Sequence, residues 1–151
     1  MLKLSKRVEY ALMALLYMDG TSGDVVVSAR EIVEQFRLPP ELMGKVLQVL
    51  ARAGLVESMH GAKGGYRLAR TLDEVSLPEV IEAVDGKMRI VPCQGKATSC
   101  ERYNDCIIRD PVHRIQRQLM IYLDGIKLSA FREPGAKGNV KRIKSVERAL
   151  V

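Results

Sequence analysis

From residue 51 to residue 68 the chain reads A-R-A-G-L-V-E-S-M-H-G-A-K-G-G-Y-R-L, and this stretch limits the fold more than any other. Gly54 is the residue type that takes the left-handed conformation closing a helix. Residues 55–59 form a β-prone run, residues 60–65 a turn holding three glycines, and residues 66–68 a second short β-prone run. A helix therefore stops at Gly54 and hands over to a hairpin. Pro39-Pro40-Glu41 opens that helix, because proline's fixed φ and missing N–H suit a first turn. Upstream, Ser28-Ala29-Arg30-Glu31 has the capping-box pattern and predicts a helix to about Phe36. Before it lie a turn at residues 20–24 and a β-prone Val25-Val26-Val27. Leu4, Val8, Ala11, Leu12, Leu15 and Leu16 recur at helical spacing over residues 3–18. Two short helices joined by a tight turn and followed by a hairpin make a winged helix-turn-helix, and the chain reads as mainly α with a β-hairpin wing.

The third helix is expected to bury Leu42, Val46, Val49, Leu50 and Ala53 and to turn Glu41, Lys45, Gln48 and Arg52 outward. Such an outward face suits a DNA major groove. Ser58, His60 and Lys63, set among glycines that allow close approach, suit the phosphate backbone or the minor groove. Candidate DNA contacts are Ser28, Glu41, Lys45, Gln48, Ser58, His60, Gly61 and Lys63. The alternative is a winged helix used only for protein contacts, a role this fold also serves.

All three cysteines, Cys93, Cys100 and Cys106, fall in one fourteen-residue stretch, C-Q-G-K-A-T-S-C-E-R-Y-N-D-C. An odd count argues against a closed disulfide framework. Thiolates gathered in one polar loop look like ligands for a soft metal or an iron–sulfur cluster, or like redox-active thiols. The other reading is a few incidental cysteines.

A helix is expected at about residues 77–84, leading into the cysteine loop over about 85–105. From residue 108 the apolar positions Ile108, Val112, Ile115, Leu119, Tyr122 and Ile126 alternate steps of four and three, the seam of a helix packed on another helix. Such a seam favours homodimerisation; packing on the chain's own winged helix is the alternative. The expected organisation is a DNA-binding domain over 1–75, a linking helix and cysteine loop over 76–107, a dimerisation helix over 108–130 and a basic tail over 131–151. Lys and Arg outnumber Asp and Glu ten to seven in 1–72 and ten to four in 108–151, but trail them four to seven in 73–107. The net charge of +6 agrees with a polyanionic partner. The longest apolar run, residues 11–18, is too short to span a bilayer, and the start lacks the features of a secretory signal, so a cytoplasmic protein is expected. No nucleophile–base pairing or paired acids point to an enzyme, and G-A-K-G-G-Y lacks the lysine–hydroxyl ending of a phosphate-binding loop.

These residues resemble the bacterial winged-helix regulators of the iron–sulfur cluster assembly regulator type, with their nitric-oxide-, iron- and redox-sensing relatives. The likeness runs from L-K-L-S-K-R-V-E-Y-A-L through the long helix. It is densest at V-L-A-R-A-G-L-V-E-S-M-H-G-A-K-G-G-Y-R-L-A, and continues through V-I-E-A-V-D-G and C-Q-G-K ahead of two further cysteines. The resemblance implies a homodimer on a two-fold operator in double-stranded DNA. It implies that Cys93, Cys100 and Cys106 hold a cluster whose state sets promoter affinity, most often for repression. Ser58, His60 and Gly61 match wing positions that meet DNA. His60 stands where the assembly regulator has Arg, Gly44 where it has a base-reading Glu, and Glu41 where it has Ser, so its operator does not transfer.

The same likeness frames the fourth ligand. The assembly regulator has a His three residues after its last Cys; here that position is Arg109, whose guanidinium stays protonated. Some relatives donate a carboxylate from the first helix of the partner subunit, and Glu9 in V-E-Y-A-L matches it. Glu9 ranks first, His113 second and an exogenous small molecule third, while pairing of Glu9 with Lys6 is the competing use of that carboxylate. A 2Fe–2S cluster is favoured, and a 4Fe–4S cluster is compatible with a nitrosative-stress sensor. The competing function is a winged-helix regulator that uses the three thiols as a redox switch or a zinc site.

Overall fold

A computed structural model describes residues 3–21, 25–61, 63–91, 93 and 100–132. The basic tail beyond Arg132, the middle of the cysteine loop (94–99) and most of the first turn lie outside the described residues.

Helix α1 spans Lys6–Gly20, and the hydroxyl of Ser5 caps it by accepting from the N–H of Val8. It buries Val8, Ala11, Leu12, Ala14, Leu15 and Met18; Leu4, expected in the stripe, precedes the helix and is exposed. Helix α2 (Ala29–Phe36) starts at the expected capping box, with Ser28 and Glu31 each satisfying the other's backbone N–H. It ends at Arg37, a non-glycine residue at φ 53°. Helix α3 (Pro40–Arg52) begins at Pro39-Pro40 and is closed by Gly54 at φ 69°. Its buried face is Met43, Val46, Leu47 and Leu50. Leu42 and Val49, expected inside, are half-buried and Ala53 is exposed. The sequence carries two apolar stripes one residue apart, and packing against α1, α2 and α4 selects between them.

Strands β1 (Val56–Met59) and β2 (Gly65–Leu68) pair antiparallel in the register Val56↔Leu68 to Met59↔Gly65. Of the β-prone 25–27 run, Val27 alone pairs, through two 2.8 Å hydrogen bonds with Tyr66. Gly65 permits that contact: a Cβ there would stand 2.5 Å from the carbonyl oxygen of Val27.

Helix α4 (Leu77–Asp85) has a second capping box, Ser76 with Glu79, and unwinds at Gly86, φ 85°. Helix α5 spans Arg109–Asp124 and buries none of its residues fully. The expected single seam divides. Val112, Leu119 and Ile126 are half-buried, Val112 against the cysteines and Ile126 against the core, while Ile108, Ile115 and Tyr122 stay exposed. The helix also ends at Asp124, before Ile126. A 3₁₀ turn, Leu128–Phe131, then returns the chain to the winged helix. Leu128 is fully buried, its N–H donates to Val75 and that of Ser129 to Leu72. Arg132 donates to both carboxylate oxygens of Asp19 at 2.8 and 2.9 Å and to Asp73 at 3.2 Å, joining the end of α1 to the loop before α4.

The core is aliphatic with two methionines, Met18 and Met43, drawn from all of α1 to α4, the hairpin base, and Val27, Leu72, Val75 and Leu128 of the connecting segments. Helices lie around a two-stranded wing, and the fold is a mainly α winged helix-turn-helix followed by a long helix. Among the described residues no helix is long and apolar enough to cross a membrane.

Candidate functional site

Glu41, Lys45, Gln48 and Arg52 stand exposed on one side of α3, because the opposite side is held in the core. Gly44 lies among them, and a Cβ built there meets nothing within 4 Å, so the helix backbone itself is accessible to an approaching surface. In the wing, Ser58 faces out from β1, and His60, Gly61 (φ 116°) and Lys63 form the exposed tip. Glu57 and Arg67, paired across the strands at 2.7 Å, neutralise each other at the wing's base. Among the described residues neither Lys45 nor Lys63 has an ion-pair partner, so both ammonium groups are available to an outside anion. Ser28 commits one lone pair of its hydroxyl to the α2 cap and keeps its O–H and a second lone pair for an outside partner.

The cysteines are brought together. Cys93, Cys100 and Cys106 are free, half-buried thiols lining one pocket of about 240 Å³ with Val91, Ile108, Arg109 and Val112. Apolar side chains and three sulfurs line the site, and its volume far exceeds that of one water. The thiols share the pocket without being drawn into coordination. Among the described residues no three His, Cys, Asp or Glu side chains already stand close enough to hold a metal ion.

Arg109, at the position expected to lack a ligand, has a structural task. Its Nη1 donates to the carbonyl of Tyr103 at 3.0 Å, and its guanidinium lies 5.0 Å from the centre of the Tyr103 ring. Its Nε donates to Asp110 at 3.0 Å, which holds the Asp110 carboxyl below the usual range, with smaller help from His113 and Arg114. His113 lies one turn beyond Arg109 and next to Val112; its Nε2 is buried with no hydrogen-bond partner among the described residues. That orphaned nitrogen is a donor atom chemically suited to iron or zinc. Glu9, on α1, is half-buried and paired with Lys6 at 2.6 Å within the chain. Lys6 is two-thirds exposed, so the pair is a weak restraint on the carboxylate.

The sequence reading missed the side chain of Gln116 on α5. Its Nε2 donates to the Met88 carbonyl at 2.7 Å and its Oε1 accepts from the Ile90 N–H at 3.0 Å. Gln116 lies on the same face as Arg109 and Val112, but no local pattern signals its partners 26 and 28 residues away.

A helix side exposed beside an accessible wing, with thiols gathered at the foot of a long C-terminal helix, defines a class of DNA-binding regulator. The chain belongs to the Rrf2 family, described as iron-dependent transcriptional regulators, whose model matches residues 4–133. It is 28% identical over 149 residues to the HTH-type transcriptional regulator IscR of Aliivibrio salmonicida, covering 99% of this chain and 88% of the relative. It is 27% identical over 115 residues to the HTH-type transcriptional regulator NsrR of Shouchella clausii, covering 76% and 73%. Among solved structures, CymR (YrzC), the global cysteine regulator of B. subtilis, superposes with a TM-score of 0.70 at 24% identity, covering 88% of this chain and all of that one. The protein is thus a DNA-binding transcriptional regulator and not an enzyme.

Proposed function

We propose that this regulator is a homodimer that senses through an iron–sulfur cluster and represses promoters according to the cluster's redox state, nitrosylation or loss. The observation that carries this reading is the convergence of Cys93, Cys100 and Cys106 on one apolar-walled pocket at the start of α5. These three thiolates hold the cluster, 2Fe–2S in the favoured form and 4Fe–4S in the alternative. Glu9 of the partner subunit is the fourth ligand. The cluster supplies a change of charge and of ligand demand at the pocket when its state changes. Everything else is done by the chain. The exposed stripe Ile108, Ile115 and Tyr122 meets its copy in the partner subunit, which sets two α3 helices on a two-fold operator. Glu41, Lys45, Gln48 and Ser28 face the major groove and its phosphates, while Ser58, His60, Gly61 and Lys63 face the backbone or the minor groove. The working units are residues 1–75 for DNA, 76–107 for sensing, 108–130 for dimerisation and 131–151 as a basic tail, in a cytoplasmic protein.

The unpartnered Nε2 of His113 favours a second reading, in which three thiolates and one imidazole bind zinc, or the thiols act as a redox switch without iron. Anaerobic purification followed by an absorption spectrum with iron and sulfide analysis separates the two. A visible charge-transfer band with about two or about four irons per subunit is the expected result. A protein that stays colourless after anaerobic reconstitution overturns the cluster. Exchange of Glu9 for Ala then reports the ligand set: the spectrum shifts if the carboxylate binds, and His113→Ala shifts it instead if the imidazole does.

A further inference from the structure

Cys93 is reached from α4 through residues 86–91, a segment that leaves the helix at Gly86 in a left-handed conformation and adopts no regular structure. Gln116 meets that segment as a strand edge would. Its side-chain amide takes the carbonyl of Met88 with the donor and the N–H of Ile90 with the acceptor, two backbone groups on either side of Arg89. The primary amide is the neutral side-chain group that offers both a donor and an acceptor at fixed spacing. A carboxylate keeps the bond to Ile90 and sets two oxygens against each other at Met88.

The other end of the cysteine loop is fastened to the same helix. Cys106 lies three residues before α5 and accepts from the N–H of Arg109 at 3.3 Å. Cys93 lies three residues beyond Ile90, within about 10 Å of extended chain. Both ends of the loop are therefore registered on α5, one by chain continuity and one by the Gln116 amide. Those two attachments limit how far apart the first and last thiols can lie.

We propose that Gln116 is a positioning residue for the thiol site: it fixes the run-in to Cys93 on α5 and so holds Cys93 against Cys100 and Cys106 across the shared pocket. This rests on the reading of the three cysteines as a ligand set. Hydrogen bonds that orient the ligands in this way set the affinity of a site without touching its metal.

The test uses the full-length, metal-free protein under anaerobic conditions, with the variants Gln116→Met and Gln116→Glu. Methionine keeps the length and bulk of the side chain without its hydrogen bonds, and Glu keeps its shape and one acceptor. Cobalt(II) is titrated first, read by its thiolate charge-transfer and ligand-field bands. Both variants should bind about ten- to a hundredfold more weakly than the parent, with a changed ligand-field spectrum, while the metal-free variants still unfold cooperatively, with midpoints lowered by no more than roughly 10 °C. In a second arm, phenylarsine oxide, which condenses with two thiols and releases water, is bound to Cys100→Ser protein, where Cys93 and Cys106 remain. Its affinity should fall at least about tenfold on adding either Gln116 change, the scale on which loss of a ligand-orienting hydrogen bond acts. Parent-like cobalt and arsenical affinities in both variants would overturn the proposal. If the parent binds no cobalt, the ligand-set reading fails alone, and the arsenical arm still decides whether Gln116 positions Cys93.

Discussion

Truncating Leu128 tests whether the segment after α5 belongs to the core of the DNA-binding head. Leu128 has no exposed surface, sits among α1, α3 and α4 residues in the core, and is framed by backbone bonds to Val75 and Leu72. Leu128→Ala removes three carbons, about 2.4 kcal/mol at roughly 0.8 kcal/mol per buried carbon. The walls of the cavity are regular helices that collapse only in part, which brings the expected loss to about 3–4 kcal/mol. For a chain of this size that lowers the melting midpoint by roughly 10 °C. Phe131, in the same turn but 43% exposed, is the internal control, and Phe131→Ala should cost about 1 kcal/mol. Urea unfolding of the metal-free protein at one protomer concentration measures both, with unchanged m-values showing that the unfolded state is common to them. Equal losses for Leu128→Ala and Phe131→Ala would refute the reasoning, because they would place Leu128 outside the cooperative core.

Lys45→Ala and Lys63→Ala should each flatten the log–log salt dependence of DNA binding by about one unit, and the double variant by about two, in titrations over a range of salt. Gly44→Ala meets open space and should raise helix stability by about 0.5–1 kcal/mol while weakening DNA binding, since its methyl group stands on the outward face of α3; unchanged affinity would remove that face from the interface. Gly65→Ala would put a Cβ 2.5 Å from the Val27 carbonyl, so it should break the Val27–Tyr66 bridge and speed amide exchange at both residues. Asp73 is held below its ordinary value of 3.8 by a hydrogen bond from Ser129 and then by Arg132. A lowered folded pKa contributes stability that is present above 3.8 and lost as pH falls through the lower folded value. Asp73→Asn should therefore flatten the acid limb of a urea-midpoint profile and leave its shape near neutrality unchanged.

The winged helix was legible because its signals are local: Pro39-Pro40 starts α3, Gly54 ends it, Ser28 and Glu31 start α2, and the glycines of 60–65 turn the hairpin. The errors fall where periodicity alone had to choose. Leu42 with Val49 and Met43 with Leu50 are both seven-residue apolar pairs on α3, and only contact with α1 and α4 selects the second. Along and beside α5 the positions Ile108, Ile115 and Tyr122 form one seven-residue series and Val112, Leu119 and Ile126 another. Spacing joined them into a seam, and the fold half-buries one series and leaves the other exposed. Gathering of the cysteines was visible as a run of sequence. The attachments of that site were not, since Gln116 to Met88 and Ile90, Ser76 to Asp124, and Arg132 to Asp19 join residues that no helical or strand period relates.

Those attachments make α5 the element through which the pocket and the DNA-binding head meet. At its start, Cys106 bonds to Arg109 and Arg109 lines the thiol pocket. In its middle, Gln116 holds the approach to Cys93. At its end, Asp124 accepts from the hydroxyl of Ser76 at 3.1 Å, the residue that caps α4, and α4 packs directly on α1 and α3. A displacement of Cys93 relative to Cys106 larger than the chain between Ile90 and Cys93 can take up breaks the Gln116 bonds or shifts the 86–91 segment against α4. Two neutral hydrogen bonds are worth about 1–3 kcal/mol together. The coupling that makes a regulator useful is also about 1–3 kcal/mol. On the proposed role of Gln116, its attachment is therefore of the right strength to bias the thiol site: it holds while the three thiols are gathered and opens when one of them is released.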